Sequence, residues 1–336
     1  MKLDRVVAGY GRKIVIRDVS TEIMKGEIIS LIGPNGGGKS TLLKSISREL
    51  NLLGGAIYLD GDSISDLSQK ELARRLSIVT TERIRPEHMT CRDVVLAGRL
   101  PFTDGFGTFK SEDHKAAERA LELLDLNGIA DTLFTSLSDG QKQRTLIARA
   151  ICQDPKYLVM DEPTSYLDIR YRMELMDVLK KLSGEGVTIV MSIHEPELAL
   201  QISDRLLLVH SDGSVTISDP EEVLDSDALK ELYGMTDEMY GRIRKQLGSA
   251  VTNGKEGRSS FFTNRQCEYF PCHELEPERF NCLFCYCPLY EMDDCGGTYQ
   301  YTEKGIKNCV SCRFPHEKEN YGKVIKKLKE KMYGDR

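Results

Sequence analysis

The stretch EIISLIGPNGGGKST, residues 27–41, constrains the fold more than any other part of the chain. It runs from an apolar segment through a glycine-rich turn into a helix-like segment, in the pattern G-x-x-x-x-G-K-[ST]. Glycines let such a turn curl until several backbone N–H groups point inward, and the following helix adds its positive N-terminal end, so the turn is suited to hold phosphate. Lys39 would reach the outer phosphates and Ser40 would bind Mg²⁺. The predicted contacts are Gly33, Asn35, Gly36, Gly38, Lys39, Ser40 and Thr41.

A second segment, YLVMDEPTS at residues 157–165, brings acidic groups to the same kind of site. Its short apolar run predicts a parallel strand that is buried on both faces. Ligands of open α/β sheets bind beyond the carboxyl ends of the strands, where Asp161 and Glu162 would lie. We expect Asp161 to hold Mg²⁺, directly or through water, and Glu162 to be the general base that polarises the attacking water. Together the two segments predict an α/β nucleotide hydrolase.

Charge and composition indicate which kinds of partner and which cellular compartment to expect. A formal net charge of −6 gives no reason to expect DNA or RNA as the main partner. No apolar run approaches the ~20 residues that cross a bilayer, and the N-terminus shows no apolar signal core. We therefore expect a reducing compartment, in which dense cysteine indicates metal more often than disulfides.

The segment TSLSDGQKQRTLIARAI, residues 135–151, decides between classes of nucleotide hydrolase. It resembles the signature of the ATP-binding cassette (ABC) ATPases, usually LSGGQ and here LSDGQ. The resemblance implies that Ser138, Gly140 and Gln141, at the start of a helix, face the γ-phosphate held by the opposite subunit. Asp139 replaces the usual glycine. An acid suits the first turn of a helix, yet so close to ATP it is expected to reduce rate or affinity.

Three further positions follow the family's order, and the resemblance covers residues 1 to about 240. Tyr10 matches the aromatic residue that stacks on adenine, Asp168 the D-loop that runs across the dimer interface, and His194 the switch histidine near the γ-phosphate. The implied fold is a P-loop NTPase ABC nucleotide-binding domain, with a parallel-sheet core, an antiparallel β part and a helical signature subdomain.

One family element departs from the pattern. No glutamine occurs between Gln69 and Gln141, so the Q-loop glutamine, which contacts Mg²⁺ and water in the family, is absent. By spacing, Thr81 or Glu82 takes its place. Thr81 could still bind water, whereas Glu82 would add a negative charge; the sequence does not choose between them.

The segment MTCRDVVLAGRLPF, residues 89–102, resembles the part of iron-siderophore, haem and cobalamin importer ATPases that docks on the permease. Arg99 and Pro101 match that pattern, and Cys91 replaces a common valine. The resemblance implies an ATPase homodimer on the cytoplasmic face of the membrane, bound to an integral membrane permease dimer and served indirectly by an extracytoplasmic substrate-binding protein. The alternative is a soluble ABC ATPase in metal-cofactor assembly of the iron–sulfur type.

Eight of the ten cysteines lie near the end of the chain. Cys282 with Cys285, and Cys309 with Cys312, form two C-x-x-C pairs that resemble a zinc ribbon. The other four thiols would hold a second ion; zinc is preferred, and iron–sulfur clusters remain the alternative. The segment also resembles a small cysteine-rich domain linked to corrinoid metabolism, which favours a cobalamin-like cargo. The predicted metal ligands are Cys267, Cys272, Cys282, Cys285, Cys287, Cys295, Cys309 and Cys312.

Composition divides the chain into four parts. We expect an ABC nucleotide-binding domain over 1–245, a linker over 246–260, a cysteine-rich metal-binding domain over 261–316 and a basic amphipathic helix over 317–336. Packing of that helix on the protein's own surface is preferred to contact with anionic lipid. Below about 50 residues a core rarely holds itself together, so metal would supply folding energy to the cysteine-rich domain.

Overall fold

The structure of the protein is a computed structural model. It describes residues 1–80, 86–104 and 107–241, and in the C-terminal part residues 289, 292, 294–301, 307–308, 312–317, 320, 323–324 and 326–327. The chain forms two compact units, Met1–Val251 and Thr252–Arg336. The expected linker over 246–260 lies outside the described residues.

The first unit is built on two sheets. Its strands are β1 (Lys2–Tyr10), β2 (Lys13–Glu22), β3 (Ile28–Ile32), β4 (Gly54–Leu59), β5 (Asp62–Ser63), β6 (Leu76–Val79), β7 (Tyr157–Asp161), β8 (Thr188–Ser192), β9 (Arg205–Val209) and β10 (Val215–Ser218). A six-stranded sheet has the order β10-β9-β3-β8-β7-β6 and is parallel except for the β10–β9 edge. An antiparallel sheet has the order β2-β1-β4-β5.

In the described residues, helices lie between the strands and after β10, and three of them follow one another between β6 and β7. They are α1 (Lys39–Ile46), α2 (Gln69–Arg75), α3 (Cys91–Leu96), α4 (Ser111–Leu123), α5 (Asp139–Cys152), α6 (Ile169–Gly184), α7 (Pro196–Ile202), α8 (Pro220–Asp225) and α9 (Ala228–Tyr233). The parallel core, the antiparallel part and the helical subdomain, in which α3, α4 and α5 pack together, confirm the fold class expected from the sequence.

Strand β3 is buried along its whole length because both of its faces are covered. Ile29 and Leu31 belong to the core that includes α1 and the antiparallel sheet. Ile28 and Ile32 point to the other core, which includes residues of α4 to α7. A strand covered on both sides needs a continuous apolar run and not an alternating one, which explains the sequence IISLI.

Arg99 turns inward in the structure. Its Nε donates to Oδ1 of Asp113 at 2.8 Å, the two side chains are 11% and 3% exposed, and the guanidinium lies 4.0 Å from the centre of the Phe102 ring. Its Nη1 also donates to the carbonyl of Cys152 at 3.3 Å. Arg99 therefore joins the 3₁₀ segment Ala97–Phe102 to α4 and to the end of α5.

The described part of the second unit is small. Strands β11 (Gln300–Tyr301) and β12 (Lys307–Asn308) pair antiparallel, and Phe314–His316 forms a 3₁₀ turn. Val324 is buried, and Lys323 and Lys326 are exposed; the amphipathic helix expected over 317–336 stays a prediction. Across the described ranges, the helices are too short or too polar to cross a membrane.

We predict that Asp113→Asn destabilises the first unit by about 3–5 kcal/mol, because it leaves the buried Arg99 guanidinium without its counter-charge. Burial by itself would raise the pKa of Asp113, but hydrogen bonds from Lys110 N–H and from Arg99 outweigh it and lower the pKa. A lowered carboxyl pKa stabilises the fold above the unfolded value near ~4, and this contribution is lost as pH falls through the folded pKa. Chemical denaturation at pH 7 and at lower pH measures both effects.

The matched control is Glu174→Gln, which removes one partner of the exposed Arg170–Glu174 pair on α6. An exposed i,i+4 pair contributes only about 0.3–0.5 kcal/mol. Equal losses of unfolding free energy in the two variants would contradict a structural role for the buried pair.

Candidate functional site

The glycine-rich turn joins β3 to α1 along a path that only glycine can follow at two points. Gly33 has φ of 151°, and a Cβ there would lie 2.2 Å from the carbonyl oxygen of Val209. Gly38 has φ of 109°, and a Cβ there would meet the side chain of Ile16 at 2.7 Å. The turn is thus held against β9 and β2, with room for backbone only, as a phosphate-binding loop requires.

The other predicted loop residues occupy both faces of the turn. Asn35 and Gly36 are exposed, and Gly36 has φ of 78°. Ser40 is half-buried in the first turn of α1, and Thr41 is buried behind it. The exposed part of the loop is therefore the part on which a phosphate group could lie.

Lys39 is buried at the start of α1, with 6% of its surface exposed. Its ammonium donates to the carbonyl oxygens of Gly33 at 2.7 Å and of Pro34 at 3.0 Å. Burial lowers its pKa, while the charges of Glu162 and Asp161 act in the opposite direction. The glycine-rich loop and the acidic pair therefore share one electrostatic environment, as the two sequence motifs predict.

Ser192, at the end of β8, links the two acidic residues. Its hydroxyl donates to Oδ1 of Asp161 at 2.6 Å and accepts from the backbone N–H of Glu162 at 2.9 Å. Glu162 has φ of 49°, in the left-handed region, so the chain turns sharply after β7. Sequence reasoning missed Ser192; the available signal was its place two residues before His194 at the end of an apolar run.

The predicted base and the predicted switch histidine are in direct contact. Nε2 of His194 lies 2.5 Å from Oε1 of Glu162. The hydroxyl of Ser165 donates to Oε2 of the same carboxylate at 3.3 Å. Glu162 is therefore held on both oxygens, while part of its side chain stays accessible to a ligand.

Glu195, the residue after His194, ties the histidine's segment to the segment that follows Glu162. Its carboxylate accepts from the Thr164 hydroxyl at 3.3 Å and pairs with Arg172 Nη1 at 3.0 Å. Arg172 Nη2 also donates to the carbonyl of Leu167 at 3.3 Å. A hydrogen bond and an ion pair thus connect the two segments that carry Glu162 and His194, through side chains that the sequence does not single out.

The signature helix α5 begins at Ser138 with a reciprocal cap. Ser138 Oγ accepts from the N–H of Gln141 at 3.3 Å, and the Gln141 side chain accepts from the N–H of Ser138 at 2.9 Å. A Cβ on Gly140 would lie 3.0 Å from the carbonyl oxygen of Tyr166, so only a small residue fits there. The signature helix therefore lies directly against the loop that follows the acidic pair.

The remaining predicted nucleotide contacts lie at the surface of the unit. Asp168 is exposed and caps α6, accepting from the N–H of Tyr171 at 3.0 Å. Tyr10 ends β1 with 52% of its surface exposed. Thr81, with the alternative Glu82, lies outside the described residues.

The residues present fit ATP with Mg²⁺. The loop packs so closely on the strands behind it that Gly33 and Gly38 have no room for a Cβ, and the Lys39 cation beside it is bonded to neutral carbonyls. Asp161 offers a carboxylate at the end of β7, and Ser40 a hydroxyl at the start of α1. These donors match the hard oxygen ligands that Mg²⁺ takes alongside substrate phosphates.

The predicted metal ligands divide into described and undescribed residues. Cys295 and Cys312 are described, and both are buried with free thiols. The other six, which lie outside the described residues, are Cys267, Cys272, Cys282, Cys285, Cys287 and Cys309. In the described part of the chain, no three metal-ligating side chains converge on one point.

Comparison with known proteins agrees with this site. The ABC transporter family matches residues 16–165, and the family "Cysteine-rich small domain" matches residues 258–335. An uncharacterized ABC transporter ATP-binding protein of Methanocaldococcus jannaschii is 39% identical over 244 residues, covering 72% of this chain and 84% of that protein. A petrobactin import ATP-binding protein of Bacillus subtilis is 40% identical over 228 residues, covering 68% and 90%.

Solved structures give the same result. A structure described as a metal-chelate type ABC transporter in an inward-facing conformation matches with a TM-score of 0.59 and 28% identity, covering 69% of this chain and 87% of that chain. A dimeric ATP-binding cassette with ADP and phosphate bound matches with a TM-score of 0.58 and 28% identity, covering 65% and 98%. The chain belongs to the family of ABC transporter ATP-binding proteins, whose activity is ATP hydrolysis.

We predict that Ser192→Ala lowers kcat for ATP hydrolysis by about 10- to 100-fold, the usual effect of removing a group that orients a metal ligand. The change removes the hydrogen bond from Ser192 to Asp161 and the hydrogen bond from the Glu162 N–H to Ser192. Steady-state kinetics measures it, with Ser203→Ala as the control, because that hydroxyl donates to Ser30 Oγ at 2.6 Å and not to Asp161 or Glu162. A wild-type kcat in Ser192→Ala would remove the proposed link.

We predict that Glu195→Gln lowers kcat by at most about tenfold, because a partly exposed ion pair contributes about 1 kcal/mol or less. The KM for ATP should change little, since Glu195 contacts Thr164 and Arg172 and not the glycine-rich loop. Arg172→Met should give a similar loss, and the double variant should lose no more than either single one. Additive losses would show that the two side chains act separately.

Proposed function

We propose that this chain is the ATP-hydrolysing subunit of an importer for iron–chelate compounds, working through a separate membrane permease. The sequence similarity to named importer subunits carries the proposal. Besides the petrobactin protein, an iron(3+)-hydroxamate import ATP-binding protein of Bacillus subtilis is 35% identical over 234 residues, covering 69% of this chain and 87% of that protein. As such a subunit, the chain would lie on the cytoplasmic face of the membrane.

The shape of segment 89–102 supports docking on a permease. Thr90 and Asp93 form a reciprocal cap that starts α3, and Arg99 is anchored inward by Asp113. Leu100, directly after that anchor, is 53% exposed. A fixed backbone that presents an apolar side chain to the outside is suited to receive a partner's apolar surface.

We propose that hydrolysis takes place between two copies of the chain. Each site would use the loop and Lys39 of one copy, with Ser138, Gly140 and Gln141 of the other closing over the γ-phosphate. Tyr10 would stack on adenine, and Asp168 would lie at the interface between the copies. The exposure of Ser138, Tyr10 and Asp168 is consistent with partners on another molecule.

Within each site, different residues of the chain would have different roles in ATP hydrolysis. Asp161 and Ser40 would hold Mg²⁺, which neutralises phosphate charge when bound. Glu162 would take the proton of the attacking water, and His194, at 2.5 Å, would orient that carboxylate. Lys39 would stabilise the charge that develops on the outer phosphates.

We propose that the second unit binds metal through its cysteines, with zinc preferred to an iron–sulfur cluster. The buried free thiols of Cys295 and Cys312 and the match of residues 258–335 to the cysteine-rich family support this, because clustered thiolates are common ligands of zinc and of iron–sulfur clusters. Metal-cofactor assembly is the alternative function that this unit favours. Co-purification from native membranes separates the two functions: a polytopic permease supports import, and a soluble scaffold supports assembly.

We predict that Glu162→Gln abolishes steady-state hydrolysis, lowering kcat by about 10²–10⁴-fold, while ATP binding persists. The variant should then form an ATP-dependent dimer, because the carboxylate that activates water is lost and the nucleotide stays intact. Size-exclusion chromatography with light scattering, with and without ATP, measures the dimer. Lys39→Ala is the comparison and should bind no ATP; hydrolysis surviving in Glu162→Gln would rule out its assignment as base.

Uptake of labelled compounds tests the cargo. A host strain that lacks the chain should fail to take up a ferric siderophore, and the wild-type chain but not Glu162→Gln should restore uptake. Labelled cobalamin serves as the parallel measurement, because the resemblance of the cysteine-rich segment favoured that class. Restoration of cobalamin uptake alone would replace the iron–chelate proposal, and restoration of neither would contradict import of both classes.

A further inference from the structure

Two buried thiols of the second unit lie beside the same glycine. A Cβ placed on Gly297 would lie 2.5 Å from Sγ of Cys312 and 3.8 Å from Sγ of Cys295. The two sulfurs are therefore no farther apart than the sum of these distances, although the cysteines stand 17 positions apart in the sequence. Both are free thiols with 6% of their surface exposed.

The turn that carries Cys295 is held in place by groups other than the thiols. Lys327 Nζ donates to the backbone carbonyl of Asp294 at 2.6 Å and to its carboxylate at 2.9 Å. Gly296 has φ of 79°, and a Cβ there would lie 3.1 Å from the Phe314 ring. The backbone is thus fixed against the segment that follows Cys312, so the approach of the two sulfurs is built into the fold of the turn.

Two other buried thiols show what structural cysteines look like in this chain. Cys91 and Cys152 lie in the core of the first unit. Burial raises the pKa of Cys91 and raises that of Cys152 to about 12. Metals bind the thiolate form, so these two cysteines are poor ligands at neutral pH. They serve as matched controls for the removal of a buried thiol.

We propose that Cys295 and Cys312 are two thiolate ligands of one and the same metal centre. Position 297 is a glycine because a side chain there would keep the two sulfurs from reaching that metal. The inference rests on the proposed metal binding of the second unit. The proposal differs from the grouping expected from sequence spacing. In that grouping Cys312 binds one ion as a member of a C-x-x-C pair, and Cys295 binds a second ion with the other thiols outside the pairs. Two thiolates on a glycine turn suit the preferred tetrahedral zinc site, and thiolates are also the ligands of the alternative, an iron–sulfur cluster.

The first experiment uses the full-length protein, stripped of its metal and reloaded with ¹¹³Cd²⁺, a thiophilic probe with a nuclear spin. Proton–cadmium correlation spectra of cysteine-labelled protein show which β-protons couple to which ion, and Cys295→Ser and Cys312→Ser assign the signals. We expect both residues to correlate with one cadmium resonance. Correlation with two different resonances would overturn the shared centre, and this readout needs no ATPase activity.

The second experiment measures metal content after anaerobic purification, with the absorbance spectrum to separate zinc from iron with sulfide. Cys295→Ser, Cys312→Ser and the double variant should each lose the same one centre per chain. Cys91→Ser and Cys152→Ser should keep the wild-type content, and ATP binding confirms that the first unit is folded in every variant. Losses that add in the double variant would contradict the pairing while leaving metal binding intact.

The third variant, Gly297→Ala, retains every thiol and so does not depend on losing a ligand. Its methyl group would stand 2.5 Å from the Cys312 sulfur, so Co²⁺ titration should show weaker binding than in the wild type. Unchanged affinity would remove the role given to Gly297. A wild-type protein free of metal, and unable to bind Co²⁺ or ¹¹³Cd²⁺, would overturn both the pairing and the proposed metal binding.

Discussion

The parallel pairing of β3, β8 and β7 in one register is the constraint on which the nucleotide site depends. Leu31 stands opposite Ser192, and Ser192 stands opposite Asp161. Parallel strands end at the same edge of a sheet, so the glycine-rich loop, the acidic pair and the segment leading to His194 arrive together. Ser192 then joins β8 to the acidic pair through two hydrogen bonds.

Around that edge, the predicted groups are held by side chains of their own and of neighbouring segments. His194 and Ser165 hold Glu162, Glu195 connects the histidine's segment to Arg172, and Gly140 lies against Tyr166. The signature helix and the segment that carries the base are therefore in direct contact. Arg99 also connects segment 97–102 to the end of α5, so a permease docked as proposed would contact a segment that is fixed to the signature helix.

The second unit is expected to depend on metal binding as well as on apolar packing. Among the described residues, its buried apolar cluster consists of Leu289, Cys295 and Val324, with Met292, Tyr299 and Phe314 packed against it. Thiolate–metal bonds would add to the folding free energy that this described cluster provides. The proposed pairing of Cys295 with Cys312 places such bonds beside the cluster.

The role expected of His194 came from the resemblance to ABC ATPases, whereas the sequence by itself determined the α/β class, the phosphate loop, and the roles expected of Lys39, Asp161 and Glu162. These follow from local requirements: glycines where backbone must approach phosphate, an apolar run for a strand buried on both faces, and charged groups where that strand ends. Each motif could be recognised without its partners, although the chain order differs from the sheet order: β8, which leads to His194, lies between β3 and β7. The replacement of the Q-loop glutamine by Thr81 or Glu82 stays a prediction.

Only the tertiary structure decided which side chains meet. Ser192 with Asp161, Arg172 with Glu195, and Arg99 with Asp113 are pairs whose members lie 31, 23 and 14 positions apart. No helical or strand period connects such positions, since strand register and helix packing bring them together. The same holds for Cys295 and Cys312, where spacing favoured another grouping, because a turn fixed by Lys327 and Phe314 sets the distance between the two sulfurs.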